Sequence, residues 1–293
     1  MPRGQPSRRT AGEGGAAIVG RRCYKRRMRI DLVLGLSALI ALVPAALAPL
    51  RRREHRDTVF WCVIAVAVVG PVTWAVVQLG GTWHTGFSAT LWATIALSML
   101  IFAGLSAANR HVWRLTPLLL PYMLLLAVAA TVWSQAPERP LVAAAPAGWI
   151  QVHILTSVLT YAVFTIAAVA GLGVFLQERA LKAKRPSALT RSLPSIADGE
   201  LLQVRLLVAA ETVLGLGMLS GMATEYLTTG ALMRFEHKTL LSSLAFLVIA
   251  ALLVAHYRTG VRGRRAARLV LVAYLLLTLA YPGVKFVTDV LLA

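Results

Sequence analysis

WIQVHILTSVLTYAVFTIAAVAGLGVFL, residues 149–176, is the stretch that decides the fold. It holds no Asp, Glu, Lys or Arg, and it exceeds the roughly 20 apolar residues a helix needs to cross a hydrocarbon core. Outward from it, stretches of similar character run over approximately 30–50, 59–79, 87–108, 115–134, 201–224, 238–257 and 269–290. The hydrophobic fraction is 58% and the charged fraction 14%. Mean hydropathy is +0.70, so a soluble globular domain is excluded. The connections are too short for an independent soluble unit. The longest, Gln177 to Glu200, is basic, carries Pro186 and Pro194, and reads as a surface loop. These features predict an all-α polytopic membrane bundle of about eight transmembrane helices. Residues 29–293 read as a single transmembrane domain, preceded by a basic tail over 1–28.

The formal charge of +18 would point to nucleic acid in a soluble protein. Here it follows the positive-inside bias instead, and no nucleic-acid partner is expected. Sixteen Lys and Arg lie in the loops after spans one, three, five and seven, among them Arg51, Arg110, Lys182 and Arg264. The alternate loops hold three: Arg139, Arg234 and Lys238. This asymmetry assigns the basic loops to the cytoplasm and both termini to the periplasmic side of a bacterial inner membrane. The tail contradicts it, because residues 1–29 carry nine Lys or Arg on the wrong face. Two accounts fit: translation starting at or near Met28, or a cytoplasmic basic arm with an odd number of spans. Cys23 and Cys62 form no Cys-x-x-Cys, which excludes a dithiol relay and covalent haem attachment of that type.

Ionisable groups in or beside a span are costly in the membrane, so they narrow the search for function. His84, His153 and His237 fall at the outer face, and His55, His111 and His256 at the cytoplasmic face. Neutral imidazole is a common ligand for haem iron. Two imidazoles on facing helices at one depth could clamp a haem. His55 and His111, set among basic residues, read as solvated loop side chains, whereas His153 and His256 sit within or at the end of a span. His153, Ser157, Thr160 or Tyr161, and Phe164 should share a stripe. In span six, Arg205 lies near the cytoplasmic end, where it snorkels or holds an acidic group. Glu211, near mid-depth, should face the interior, be protonated, or both. Gly215, Gly217 and Gly221 read as small-residue helix packing. Lys285 and Asp289, spaced i to i+4, read as an ion pair, or Lys285 joins His237 and Glu236 around an anion.

Four stretches carry a resemblance: WIQVHILTSVLTYAVF (149–164), LLQVRLLVAAETVLGLGMLSG (201–221), FEHKTLLSSLAFLVIAALLVAHYRTGVRGRRAARL (235–269) and LAYPGVKFVTDVLL (279–292). WHTGFSATLW (83–92) is a weaker fifth. Together they cover about half the chain, which resembles the CcsA-like cytochrome c assembly family in its shorter HemX/YpjD-like inner-membrane branch. The resemblance implies handling of haem, of the b type, during c-type cytochrome maturation, with other maturation proteins or apocytochromes as partners. It implies His153 as the outer haem-ligating histidine and His256 as the histidine ending the helix before the Gly-Val-Arg-Gly-Arg-Arg loop, both candidate axial ligands. Arg205 matches the arginine of the helix between them.

Two departures weigh against synthase activity. Arg-Phe-Glu-His-Lys-Thr stands where the assembly enzymes carry a Trp-rich signature, and no second outer histidine follows span eight. His237 or His84 is the expected substitute ligand. No catalytic pair is visible in the bilayer core, so the chain is not read as an enzyme. The competing readings are a cofactor-free membrane regulator or partner of the same fold, and a transporter of small molecules or ions using Glu211 and the Lys285/Asp289 pair.

Overall fold

The computed structural model describes residues 32–47, 56–79, 84–134, 139–140, 147–230 and 236–288. His55, Arg234 and Asp289, singled out above, lie outside them. The described residues form an all-α polytopic bundle. Seven helices are long and apolar enough to cross a membrane, and Leu32–Leu47 (α1) is a shorter apolar helix. The others are α2 (Thr58–Leu79), α3 (Phe87–Ala108), α4 (Thr116–Val132), α5 (Ala147–Lys182), the short α6 (Ala188–Ser192), α7 (Ile196–Thr229), α8 (His237–Thr259), α9 (Gly263–Thr278) and α10 (Val284–Phe286). A two-residue antiparallel pair, His84–Thr85 with Arg139–Pro140, joins the approaches to α3 and α5.

The helix α5 is the axis of the bundle. Of its apolar window 83% is buried, against 17–50% for the other six. It packs most extensively on α7, then on α9 and α3. Every residue from Thr160 to Gly171 is buried, which explains why that run is apolar all round and lacks a polar face. The outer helices leave large apolar side chains uncovered, for example Leu125, Leu219 and Leu247. That is expected of surfaces that meet lipid.

Two expected boundaries shift. At 36 residues, α5 extends about 54 Å, well beyond a hydrocarbon core of about 30 Å. The loop expected over Gln177–Glu200 therefore shrinks, because α5 continues to Lys182 and α7 starts at Ile196. Arg179 and Lys182 in the last turn of α5 suit its negative C-terminal end. Ser195 caps α7 by accepting from the Asp198 N–H. Gln177 draws the connection back by donating to the Pro194 carbonyl. The last span is interrupted too: a π-helical turn over Leu279–Gly283 contains Pro282 and separates α9 from α10.

The basic loops gather at one end of the bundle, as the charge pattern predicts. Arg56 donates to the Ser106 carbonyl, His111 approaches Asp198 at 3.4 Å, and the Gly263 N–H donates to Glu200 at 2.6 Å. Those contacts tie together the loops after spans one, three, five and seven. Gly263 has φ +65° and its Cα hydrogen faces the Glu178 carboxylate. A Cβ there would collide with that carboxylate, whereas one at Gly260, φ +69°, would meet open space.

Both positions thus impose a left-handed backbone penalty of about 1–2 kcal/mol on alanine. Gly260→Ala should lower the melting temperature in detergent by that penalty alone. Gly263→Ala should lower it further, and adding Glu178→Ala should recover the excess. Equal losses at the two glycines would contradict the packing at Gly263.

Candidate functional site

The chain folds His153 against a bed of small residues on α7. Its Nδ1 lies 3.1 Å from the Gly217 carbonyl and 3.0 Å from Ser220 Oγ. A carbonyl oxygen only accepts, so Nδ1 carries the proton and Nε2 keeps the lone pair. Ser220 Oγ donates to the same carbonyl at 2.8 Å, which leaves the hydroxyl oxygen able to accept from Nδ1. The close approach needs Gly221: a Cβ there would stand 2.9 Å from His153 Cε1. Trp149, one turn earlier, donates its indole N–H to the Ser220 carbonyl at 3.2 Å. Two of the glycines read as helix packing, Gly217 and Gly221, are therefore also the seat of the imidazole.

His153 lines a cavity of about 210 Å³ between α5, α7 and α8, with Met218, Met222, Glu225, Lys238 and Ser242 among its walls. The donor set is chemically mixed. It offers an imidazole with a free nitrogen, two polarizable thioethers, one ammonium group, hydroxyls and the carboxylates of Glu225 and Glu236. The iron and apolar ring of a metalloporphyrin suit the imidazole and the thioethers, and Lys238 is the cation in this lining that its acidic side groups could meet. His237 is exposed at the first position of α8, beside Lys238. The backbone of His84 pairs with Pro140. Both belong to the connections at the end of the bundle where α5 begins, which His153 shares.

His256 is placed elsewhere. Its Nδ1 donates to the Val261 carbonyl at 3.0 Å and closes the turn from α8 into α9. Again Nε2 keeps the lone pair. Seventeen residues of α8 separate it from Thr239 at the His153 cavity, a helical rise of about 25 Å. His153 and His256 thus lie at opposite mouths and cannot ligate the same iron. Arg205 lies exposed on α7. Glu211 is half-buried, and both carboxylate oxygens are enclosed without a hydrogen bond among the described residues. It therefore faces the interior as its cost in the membrane demands.

The expected stripe on α5 divides. Eight residues from His153 to Tyr161 turn a helix about 80° past full turns, so His153 meets α7 while Tyr161 meets α9. Tyr161 donates to or accepts from Thr278 at 3.1 Å and stacks on Tyr274 with ring centroids 5.5 Å apart. The Tyr274 hydroxyl bonds Tyr122 at 2.7 Å, Thr165 at 2.9 Å and Tyr161 at 3.3 Å. This network joins α4, α5 and α9, and sequence reasoning missed Tyr122 and Tyr274. The available signal was a tyrosine in mid-span, far from either interface, where its hydroxyl must find a protein partner.

Comparison with known proteins places the chain in context. A family model described as cytochrome C assembly protein matches residues 58–292. A protein of Azospirillum brasilense, described as an uncharacterized 28.8 kDa protein in the nifR3-like 5′ region, is 55% identical over 270 residues. The match covers 90% of this chain and all of that protein. Protein HemX of Brevibacillus brevis is 24% identical over 197 residues, covering 66% of this chain and 72% of its own length. No solved structure matches.

Tyr274→Phe should destabilise the bundle by about 1–3 kcal/mol, the cost of stranding a buried hydroxyl. Thermal unfolding in detergent measures this. The same change at exposed Tyr257 should leave the transition in place.

Proposed function

Because the chain belongs to the cytochrome c assembly protein family, we propose that it is a multi-pass membrane protein of cytochrome c biogenesis that handles haem at the mouth around His153. The observation that carries this reading is the contact of His153 Nδ1 with the Gly217 carbonyl at 3.1 Å, which requires the proton on Nδ1. An imidazole that gives its Nδ1 proton to a backbone carbonyl is oriented and made more basic at Nε2, the arrangement found behind metal-bound histidines. Of the residues assigned to cofactor binding from sequence whose side chains are described, His153 combines this with a cavity.

Haem, when bound, supplies an iron that takes axial nitrogen ligands and two carboxylates that seek cations. His153 would hold the iron, and Lys238 with the Ser242 hydroxyl would hold a carboxylate. Met218 and Met222 would cover apolar ring surface. The cavity is smaller than the ~300–1,000 Å³ of an enclosing ligand pocket, so the macrocycle would stand partly outside it. That exposure suits a protein that passes its cofactor on. His237 or His84 would supply a second nitrogen ligand to the iron, since both belong to the same end. His256, at the other mouth, would serve a separate haem position, and Arg205, exposed on α7, would hold an acidic group.

The test is the haem content of the protein purified in mild detergent, read by its visible spectrum and pyridine haemochrome. Wild type should carry b-type haem, and His153→Ala should lose most of it. Ser220→Ala, which removes a partner of the ligand, should weaken haem binding by about tenfold. Gly221→Val should lose haem while keeping the histidine, because the added Cβ displaces the ring. Folded wild-type protein that takes up no haem, even when haem is added, would overturn the proposal in favour of a cofactor-free partner protein.

A further inference from the structure

We propose that the basic mouth between α5, α8 and α9 is a binding site for the headgroup of an anionic phospholipid, best one bearing two phosphates. A cavity of about 410 Å³ opens there, lined by Lys182, Arg262, Arg264 and Arg265, with Glu178 and the turn from Gly260 to Val261. Four cations thus face one carboxylate. That carboxylate is turned onto Gly263, and Glu200 accepts from the Gly263 N–H. Glu200 is therefore engaged at the start of α9, and Glu178 packs against the same glycine. None of the four cations has an ion pair among the described residues.

The site is shaped before any ligand arrives. His256 holds the Val261 carbonyl, and Gly260 makes the left-handed turn. The Arg264 guanidinium lies over Phe175, 4.9 Å from the ring centroid, with its Nε enclosed and lacking an acceptor. A stacked guanidinium keeps its planar fork available for phosphate oxygens. A lipid suits the place better than a free anion. The cavity sits where the apolar helices end, and Val254, Tyr257, Leu269 and Val272 are exposed on the adjoining turns of α8 and α9, where acyl chains can lie. The positive-inside bias assigns this mouth to the cytoplasmic leaflet, and basic pockets between transmembrane helices on that side are suited to multiply charged headgroups.

Native mass spectrometry of the purified full chain tests the proposal, with cardiolipin, phosphatidylglycerol and phosphatidylcholine as probes. Cardiolipin should be retained best and phosphatidylcholine least. Arg262→Gln/Arg265→Gln should weaken cardiolipin retention by about 30-fold, the effect of two near-surface charges. Arg262→Lys/Arg265→Lys should keep most of it. Arg185→Gln/Arg191→Gln removes the same charge from a loop outside the cavity and should change little. If the first pair fails to fold, Lys182→Gln alone should still weaken retention severalfold. Equal weakening by the control pair would reduce the site to diffuse attraction. Complete displacement by millimolar inorganic phosphate would make it a free-anion site. Either result overturns the proposal.

Discussion

Nothing inside a hydrocarbon core can hydrogen-bond to water, and α5 is the element through which this chain meets that constraint. Its middle is sealed on all sides and is almost wholly apolar. The polar groups it does carry are satisfied within the protein: Thr160 and Thr165 bond carbonyls one turn back, and Tyr161 joins the network on α9. Neighbouring helices are placed by what α5 offers them. Gly171 admits the Gln203 side chain of α7, and Thr165 with Tyr161 fixes Tyr274 of α9. The bundle is organised from this axis outward.

The same constraint gives the two mouths their chemistry. Polar side chains are left partly unsatisfied at least cost where the helices reach the interface. At one end His153 is gripped through one ring nitrogen, which leaves the other as a lone pair beside a cavity. At the other end His256 is gripped in the same manner, among arginines. About 25 Å of helix separates the two positions, so His153 and His256 belong to different mouths and cannot share one haem. A carrier that takes a cofactor on one side of a membrane and presents it on the other has use for such a division. The basic mouth, where the Arg264 guanidinium is stacked on Phe175, would add a lipid-facing anchor on the cytoplasmic leaflet.

Much of this was legible in the sequence, and the remainder was hidden for identifiable reasons. Apolar runs as long as residues 149–176 have few alternatives to spanning helices, so the fold class followed from length and composition. The gathering of the basic loops at one end followed from charge alternation. Element ends were less visible, since α5 continues past Leu176 on hydrogen bonds of its own backbone that no hydropathy pattern reports. His153 was singled out because a histidine one turn inside a span is costly. Its seat was missed because Gly217 and Gly221 look the same whether they receive a helix or an imidazole. Likewise, sequence alone gave no reason to pair Tyr122 with Tyr274 across 152 positions. The distance between His153 and His256 was implicit in their assignment to opposite faces, and the structure makes it an exclusion.

The central claim is that Nε2 of His153 is an iron ligand. Pulsed electron paramagnetic resonance of the ferric, haem-loaded protein, prepared with ¹⁵N-labelled histidine, tests it most directly. In a His256→Ala background, which leaves the mouth around His153 as the haem position, the account predicts an isotope-sensitive histidine nitrogen coupling at the iron that is lost when His153→Ala is added. An undiminished coupling after that addition, or haem bound with no histidine nitrogen at the iron, would contradict it.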